Sequence, residues 1–523
     1  MKKYMFLITS LFLLFTLSAC NLTEKLNELL DELTTDTTDT TTKPNITYPD
    51  NYEDLIIPNT ISTYKDINKS LNYCPTYLPT IGNPKILVVP VNFKDANIQY
   101  NEEIVSDLEK VFFDDGENLE WESVKSYYKK SSYGKLELDG SVSDIVYLKN
   151  NTDYYQYYDE NMEATTIDFK KLVPEIMETI DKNYNLEDYD YDKDKVIDGI
   201  YFVYNQDVYK KETDNKTIYR DKNGYYELND EKSFWAWVSW YNDTNLLMYD
   251  DVELYHYMWV GLDFMYYRQD IDTYLPSLGD TYLNSETFIH ETGHMMGADD
   301  YYDYSEGEAG SQLGIGGADM MDANYGDHNP VTKILFGWIK PTIIVSGSHT
   351  IDLSGYSKNG ECVIICKSYD EETNILREFF IIDFYDNKGL NADNYFKQGH
   401  YYYDDDNNKV CEGFNTNGIR IYYVNANIDK ENSCGDYYTS HFTYDNSDED
   451  YAFITLVDAY SSNKVNQLLK TDIFVDEKCL FKQGESFIPN NLCSGYKSNW
   501  DFNIEVIKID EENNKATINI VVD

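Results

Sequence analysis

A short histidine-containing motif near the middle of the chain carries the clearest chemical signal. Residues 290–294 have the sequence HETGH, an H-E-x-x-H pattern with two histidines four positions apart. Residues four apart on a helix share one face, so His290 and His294 can bind the same ion. Two imidazoles suit zinc, and a catalytic zinc site has three protein ligands and one open position. Glu291 lies beside that face, where a carboxylate can take a proton from an attacking water. The motif predicts a zinc hydrolase.

The third metal ligand is expected from the chain just after this helix. Gly297 is placed to end the helix with a positive φ and to turn the chain back. That turn would bring Asp300, six residues after His294, to the metal. The spacing favours Asp300, and the acids that remain as alternatives are Asp299, Asp303, Glu306 and Glu308.

Two flanking segments are expected to support the active-site helix. Asn284 or Ser285 can cap its N-terminus. Downstream, the glycine-rich run 314–322 leads into two methionines, which fits a Met-turn beneath a metal. A thioether there packs against the imidazoles without competing for zinc, and of the two methionines we choose Met321. Tyr325 is either an oxyanion-stabilising residue or an ordinary structural tyrosine.

An acidic run before a predicted strand resembles a calcium loop. Asp190, Asp192 and Asp194 alternate along the chain and Asp198 follows them, so hard oxygens can converge on one cation. The run departs from the EF-hand pattern, because Lys195 replaces the glycine at the sixth position and no glutamate closes the loop. A structural Ca²⁺ is predicted here, with a solvated acidic turn as the alternative.

The composition restricts the partners that the chain can have. The 523 residues include 93 acidic and 43 basic side chains, and the formal net charge is −50. This balance disfavours binding to nucleic acid or to an anionic membrane by charge. The length is too great for one core and predicts two or more domains.

The N-terminus has the features of an export signal. Lys2 and Lys3 precede an apolar run that ends in the sequence LSAC at Cys20, which looks like a bacterial lipoprotein processing site. The alternative is an ordinary cleaved signal peptide. We expect a lipid anchor on Cys20 at the extracellular face of the cell membrane. The predicted segments are a signal peptide (1–20), a flexible tether (21–44), an N-terminal extension or pro-segment (45–84), a catalytic domain (85–341) and a β-rich C-terminal domain (342–523).

The pattern of apolar residues predicts an α+β fold. A buried strand is expected at 85–93, and helices are expected near 102–113, 119–130 and 163–183. Gly134 is expected to stop the second of these helices, and Asn329 with Pro330 to cap a further one. His256 is a lone histidine in an apolar strand, for which we expect a structural role. From residue 343 onward, short alternating segments separated by turn residues predict an all-β, sandwich-like region.

Several motifs, taken in order, resemble the immune-inhibitor-A-like secreted bacterial metallopeptidases. The resemblance covers about residues 85–341, with looser matches further on. The motifs are KILVVPVNFKD (85–95), YYKKSSYGKLELDG (127–140), the acidic loop before IDGIYFVYN (197–205), HETGHMMGADDYYD (290–303), DMMD (319–322) and TKILFGWIKP (332–341), followed by EFFIID (378–383), GIRIYYV (418–424) and LFKQGESF (480–487). The resemblance implies a zincin, metzincin-like catalytic domain with a mixed sheet, zinc-dependent proteolysis and a β-rich C-terminal part. It also supports Asp300 in place of the third histidine of the metzincin pattern.

The expected activity is therefore hydrolysis of protein or peptide substrates, with Glu291 as general base. One alternative is a surface adhesin on a zincin-derived scaffold, and another is a metal-dependent hydrolase of non-peptide amides. A scaffold without turnover would have no chemical reason to retain Glu291.

Disulfides are expected among the seven cysteines beyond Cys20, because export favours oxidation, and the odd number leaves at least one thiol free or paired to another chain. Neighbours 411/434 and 479/493 are candidate pairs. Cys362 and Cys366, four apart in a strand pattern, lie too far from each other to bridge without a bend.

Overall fold

The chain has a mixed α+β fold with several sheets and few helices. A computed structural model describes residues 78–116, 119, 121–158, 164–206, 234–241, 247–266, 283–302, 315–317, 319–324, 326–369, 376–392, 401–403, 409–411, 413–426, 446, 452–459, 467–468, 475–489 and 500–523. All of these belong to one compact unit, Tyr52–Asp523. The signal peptide, the tether and Cys20 lie outside the described residues.

The N-terminal region, up to residue 341, alternates strands with helices. Its strands are β1 (Lys85–Asn92), β2 (Asp139–Val142), β3 (Val146–Tyr147), β4 (Gln156–Tyr158), β5 (Ala164–Ile167), β6 (Ile200–Tyr204), β7 (Trp237–Trp240), β8 (Leu247–Tyr249), β9 (Val252–Leu254) and β10 (His256–Gly261). Its α-helices are α1 (Glu102–Phe113), α2 (Val124–Ser131), α3 (Phe169–Ile180), α4 (Glu286–Met295), α5 (Met320–Ala323) and α6 (Pro330–Leu335). Short 3₁₀ segments occupy Thr152–Tyr155, Leu186–Tyr189 and Leu262–Tyr266.

The N-terminal region is built around one main β-sheet. Its strands follow the order β2-β1-β6-β10-β7, with β3 also paired to β1. All pairs are parallel except β7 with β10, which is antiparallel. The central strands β1, β6 and β10 are buried almost throughout, as expected for parallel strands covered on both faces. Helix α4, which carries the HETGH motif, lies against β10 and the edge strand β7, and α2 packs on α4.

Capping and stop residues explain where the helices begin and end. Asn101 caps α1 by accepting a hydrogen bond from the Ile104 amide, and the helix covers the predicted residues. Gly134, with φ +77°, follows α2 as predicted. Asn329 caps α6 with Pro330 in the first helical turn, also as predicted.

Two predicted helices are shorter than expected. The helix predicted near 119–130 begins only at Val124, because Ser123 and Ser126 form a reciprocal capping box there. The helix predicted near 163–183 begins at Phe169, and residues 164–167 form β5 instead. The β-branched residues of β5 pair antiparallel with β4.

The C-terminal region, from residue 342, contains mostly strands. These are β11 (Thr342–Ile344), β12 (Gly347–Ser354), β13 (Cys362–Tyr369), β14 (Leu376–Tyr385), β15 (Tyr401–Tyr403), β16 (Lys409–Cys411), β17 (Gly418–Asn425), β18 (Ile454–Asp458), β19 (Gln467–Leu468), β20 (Ser486–Phe487), β21 (Phe502–Asp510) and β22 (Lys515–Val522). Short helical segments are α7 (Tyr356–Asn359), Gly389–Asn391 and Glu477–Cys479.

Two sheets of this region share one hydrophobic core. The first has the order β11-β13-β14-β17-β18-β19 and the second β12-β22-β21-β20. Residues from both sheets belong to a single buried apolar cluster. Phe380 of β14 joins them, since its ring makes edge contacts with Trp500 at 4.9 Å and Phe502 at 5.1 Å.

Residues before β1 are already part of the fold. The Leu78 amide donates to the Met295 carbonyl at the end of α4. Thr80 donates from its hydroxyl to the Phe336 carbonyl and accepts from the Trp338 indole at its own carbonyl. The described end of the predicted extension is thus hydrogen-bonded to the end of α4 and to the segment after α6.

Three cysteines in the described part of the chain are free thiols. Cys362 and Cys366 are buried and unbridged, as their spacing predicted. Cys479 is also a buried free thiol, so the expectation that it forms a disulfide was wrong. Along the described stretches of chain, no helix has the length and apolar character needed to span a bilayer.

Candidate metal centre

Helix α4 sets the two histidines of the motif. His290 and His294 are one turn apart, and their Nε2 atoms approach to 3.1 Å. Asn284 rather than Ser285 supplies the side-chain cap, because its Oδ1 accepts from the Glu286 amide at 2.7 Å. Because the two Nε2 atoms are this close, both imidazoles direct the same ring nitrogen toward one point.

The end of α4 turns the chain back toward these nitrogens. Gly297 has φ +93° and its amide donates to the His294 carbonyl, while the Ala298 amide donates to the Gly293 carbonyl. These two bonds define a Schellman motif, which needs a left-handed residue at the position of Gly297. The predicted stop is confirmed, and it explains how Asp300 reaches the histidines.

Three ligand atoms converge as the spacing predicted. Asp300 Oδ1 lies 2.8 Å from His290 Nε2 and 3.1 Å from His294 Nε2. Donors on a tetrahedral zinc with bonds of about 2.0–2.1 Å are themselves about 3.3 Å apart, close to this triangle. Within the described part of the chain, Asp300 is the acid grouped with the two histidines. The alternatives Asp303, Glu306 and Glu308 lie outside it.

A second hydrogen bond holds each imidazole from behind. Nδ1 of His290 bonds the Met320 carbonyl at 2.8 Å, and Nδ1 of His294 bonds the Ala298 carbonyl at 2.7 Å. A carbonyl can only accept, so Nδ1 carries the proton and Nε2 presents its lone pair to the centre. This is the tautomer that a metal-binding histidine needs.

The charges around the three atoms favour a cation at their centre. Burial works to lower the pKa of His294, but the carboxylates of Asp300 and Glu291 outweigh it and raise the pKa to about 10. Burial works to raise the pKa of Asp300, but the two histidines outweigh it and hold that pKa well below its usual range. Both shifts favour a positive charge at the centre of these three atoms.

Glu291 has the burial and the free oxygen expected of a general base. Its side chain is 5 % exposed, and its Oε2 has no hydrogen-bond partner among the described residues. Burial raises the pKa of this carboxyl, and the neighbouring histidines oppose that shift. A buried carboxylate oxygen without a partner is costly unless a ligand or water completes it. The residues present fit a metal ion with a water beside Glu291.

The two methionines after the glycine-rich run have separate roles. Met321 is buried against α4, where its Sδ would lie 2.5 Å from a Cβ added to Gly293, the residue directly before His294. The Met320 carbonyl instead holds His290, and the Met321 carbonyl accepts from the Tyr301 amide. Met321 therefore packs on the helix that carries both histidines, and its place beneath a metal stays a prediction.

The sequence did not predict two residues that hold elements of the candidate site. Asp319 caps α5 by accepting from the Met321 amide, and it also accepts from the amide and side chain of Asn329. An aspartate before a short helix is a recognisable capping signal. Tyr128 donates from its hydroxyl to the Ile289 carbonyl in α4, and no local pattern marks that contact. Tyr325, the candidate oxyanion residue, lies outside the described residues.

The acidic loop brings three of its four aspartates together. Carboxylate oxygens of Asp190, Asp192 and Asp194 lie within 4.8 Å of one another. Asp198 is not part of that group, and its Oδ2 accepts from the Tyr191 amide. Lys195 has φ +76°, so the backbone adopts the left-handed conformation that glycine provides in an EF-hand. Calcium binding at this loop stays a prediction.

His256 has the surroundings of a structural residue. It is 1 % exposed, and its Nε2 bonds the Asp198 carbonyl at 2.9 Å. Burial lowers its pKa to about 4, which keeps the ring neutral in the folded protein at physiological pH.

No protein-family model matches the sequence, and no curated protein matches it significantly. The resemblance to the immune-inhibitor-A-like metallopeptidases therefore rests on the sequence motifs and stays a prediction.

Proposed function

We propose that this chain is a zinc-dependent endopeptidase with a zincin-like catalytic region, of the immune-inhibitor-A-like kind. The observation that carries the proposal is the triangle of His290 Nε2, His294 Nε2 and Asp300 Oδ1, with edges of 2.8–3.1 Å. The unpartnered carboxylate oxygen of Glu291 beside this triangle adds a proton acceptor. A set of metal ligands with a neighbouring base is the arrangement that hydrolysis requires.

Each side chain has a separate task in the proposed reaction. His290, His294 and Asp300 would hold the ion, and a zinc ion there would polarise the attacking water and the scissile carbonyl. Glu291 accepts the proton of that water at its buried carboxylate and later returns the proton to the leaving amine. The carbonyls of Met320 and Ala298 keep the imidazoles in the required tautomer throughout.

The position of the edge strand favours a peptide as substrate over a small amide. Strand β7 ends the order β2-β1-β6-β10-β7, and in the described part of the sheet its outer edge pairs with no strand. It also lies against the active-site helix. An extended peptide can add to such an edge through main-chain hydrogen bonds and so pass the metal ligands.

We further propose that the C-terminal region is a β-sandwich fixed to the catalytic region, and that the protein is exported and anchored through Cys20. The shared core of the two C-terminal sheets supports the first statement. The second rests on the lipoprotein-like sequence at the N-terminus. A removable pro-segment would have to end before Leu78, whose amide is bonded to the end of α4. Labelling cells with a palmitate analogue should tag the protein but not its Cys20→Ala variant.

The test of the peptidase proposal uses residues 21–523, purified with zinc and calcium. Casein and a mixed peptide library serve as substrates for the wild type, a chelator-treated sample and Glu291→Gln. Loss of the general base should lower kcat by about 10²–10⁴-fold while zinc stays bound. Glu505→Gln, at an exposed glutamate of β21, is the matched control and should retain full activity.

Two results would contradict the proposal. If the wild type binds no zinc, the metal assignment is wrong. If it binds one equivalent, has been trimmed to begin near Leu78 and still cleaves nothing, the peptidase assignment is wrong and a scaffold for adhesion becomes the better interpretation.

A further inference from the structure

Tyr301, the residue directly after Asp300, is held from two regions of the chain. Its side chain is fully buried. From the N-terminal region, the Met321 carbonyl accepts its amide at 2.8 Å, and Thr332 Oγ1 hydrogen-bonds with its hydroxyl at 2.7 Å. These contacts fix the amide side of the residue and the tip of its ring.

The C-terminal β region supplies the remaining contacts. Asn446 donates from Nδ2 to the Tyr301 carbonyl at 2.8 Å, and the ring of Phe453 stacks on the Tyr301 ring at 6.2 Å and 29°. Both side chains are buried, with 1 % and 3 % of their surface exposed. The carbonyl and the face of Tyr301 are therefore held by residues more than a hundred positions away.

The amide group of Asn446 is itself oriented by β18. Its Oδ1 accepts from the Ile454 amide at 3.0 Å, and its Nδ2 donates to the Ile454 carbonyl at 2.9 Å. Ile454 begins a strand that pairs with β17 in the larger C-terminal sheet. Hydrogen bonds to the first residue of a paired strand thus orient the Asn446 donor toward the chain segment that carries Asp300.

The three metal-ligating side chains differ in how the local chain supports them. His290 and His294 stand on one helix, and each has its own carbonyl partner. Asp300 lies beyond the helix, after the reversal at Gly297. Its place relative to the histidines depends on what holds the residues around it, and its neighbour Tyr301 is held at its amide, its carbonyl and its ring.

We propose that Asn446 is a positioning residue for Asp300, through which the C-terminal β region completes the metal site. This inference rests on the proposed zinc site. Asn446 fixes the Tyr301 carbonyl, Phe453 fixes the Tyr301 ring, and together they hold the Asp300 carboxylate against the two imidazoles. A second contact supports the same coupling: the Val475 amide of the β region donates to the Gly316 carbonyl, next to the turn that carries Met321.

The test measures metal affinity and fold stability separately on residues 21–523. The variants are Asn446→Ala, which removes the donor, and Phe453→Leu, which removes only the stacked ring. Asn387→Ala is the matched control, since this asparagine of the β region donates to the Asn415 carbonyl instead. Zinc affinity is obtained by competition with a chromophoric chelator, and thermal unfolding is followed on the metal-free proteins. The spectrum of the Co²⁺-substituted proteins reports on the ligand set.

Asn446→Ala should weaken zinc binding by about 10–100-fold, the usual effect of losing a partner behind a metal ligand. Phe453→Leu should weaken it in the same direction, and the Co²⁺ spectra of both should differ from that of the wild type. Asn387→Ala should leave the zinc affinity at the wild-type value. Asn446→Ala breaks three buried hydrogen bonds, so its metal-free Tm should fall further, and affinities are compared at a temperature at which every metal-free variant is folded.

Other outcomes would overturn the inference in distinguishable ways. If Asn446→Ala and Phe453→Leu both keep the wild-type zinc affinity and Co²⁺ spectrum, Asn446 has no positioning role. The proposal of the zinc site itself would then still stand. Equal losses of affinity and Tm in Asn446→Ala and Asn387→Ala would show general destabilisation. Absence of zinc binding by the wild type would remove the proposed function and this inference together.

Discussion

Met321 Sδ occupies the space directly over Gly293, so closely that a Cβ on Gly293 would lie 2.5 Å from the sulfur. Real Cβ atoms do not approach other atoms so closely, and the second contact, at 3.2 Å, is with the terminal methyl group of the same methionine. The fourth residue of the HETGH motif is therefore small because the Met-turn packs against it. One contact couples the helix that carries both histidines to the turn that holds His290.

Gly293→Ala should consequently destabilise the protein and weaken zinc binding. Forcing an extra methyl into a packed site typically costs about 1–3 kcal/mol, which denaturant unfolding can measure. Met321→Ala also destabilises the protein, because it deletes a buried side chain. The double variant Gly293→Ala with Met321→Ala should nevertheless lose less stability than the sum of the two single variants, because it removes the clashing sulfur. A loss equal to that sum would show that the two residues are not in contact.

The identity of the third ligand can be tested with two neighbouring aspartates. Asp300→Asn should reduce zinc affinity by more than the ~10–100-fold typical of a change behind a ligand, because a donor carboxylate is lost. Asp299→Asn is the matched control, since Asp299 is partly exposed and is not grouped with the histidines. Equilibrium dialysis with Zn²⁺ measures both. A larger effect from Asp299 would reassign the ligand.

The sequence was most informative where one element carries the chemistry. The i, i+4 spacing of the histidines and the left-handed Gly297 are local features, so the convergence with Asp300 could be predicted from spacing alone. Local capping signals likewise predicted the start of α6 at Asn329. The predicted zincin and sandwich architectures remain interpretations of the mixed α+β fold.

Contacts between distant parts of the chain could not be predicted in this way. Asn446 is separated from Tyr301 by 145 positions, and no periodicity or capping pattern marks it. The expected pairing of Cys479 failed for a related reason, because cysteine spacing does not reveal which side chains the fold brings together. Residues 164–167 became a strand rather than the start of α3 because β4 was available to pair with them.

A buried ion pair lies within the C-terminal region, beside the boundary with the N-terminal region. Arg420 donates from Nε and Nη2 to both carboxylate oxygens of Asp383 at 3.1 and 2.7 Å. The Tyr356 ring lies 5.0 Å from the guanidinium and 4.6 Å from the buried ammonium of Lys333 in α6. Two cations from the two regions thus share one aromatic ring.

Arg420→Ala should lower the free energy of unfolding by about 3–5 kcal/mol, because it leaves the Asp383 carboxylate buried without its partner. The double variant Arg420→Met with Asp383→Leu should recover most of that loss, since apolar replacement of a whole buried pair is often neutral. Lys508→Ala is the control. It breaks a surface pair with Asp510, which should contribute at most about 1 kcal/mol. Urea unfolding at one pH separates these cases, and an effect of Arg420→Ala as small as that of Lys508→Ala would contradict the prediction.

His328 should make the stability of the protein depend on pH. It is fully buried among the rings of Tyr127, Tyr128, Phe336 and Trp338. Both ring nitrogens lack a hydrogen-bond partner among the described residues. Burial holds the pKa of His328 well below its usual value, and the positive charge of Lys333 acts in the same direction.

The sign of the effect follows from which state binds the proton. The unfolded chain protonates this histidine near pH 6.5, whereas the folded protein keeps it neutral to a much lower pH. The contribution of His328 to the free energy of unfolding is therefore complete above pH 6.5. It is lost as the pH falls from there toward the pKa of His328 in the folded protein, by up to about 1.4 kcal/mol per pH unit.

His328→Phe keeps a flat ring in the same place, and its backbone carbonyl can still accept the hydrogen bond from Tyr356. The variant should therefore remove only the protonation of this side chain from the pH dependence of unfolding. Urea midpoints measured from pH 7.5 to 5.5 should fall less steeply for His328→Phe than for the wild type. Measurements on the metal-free proteins avoid the separate pH dependence of zinc binding. Parallel slopes in the two proteins would mean that His328 does not titrate between the folded and unfolded states in this range.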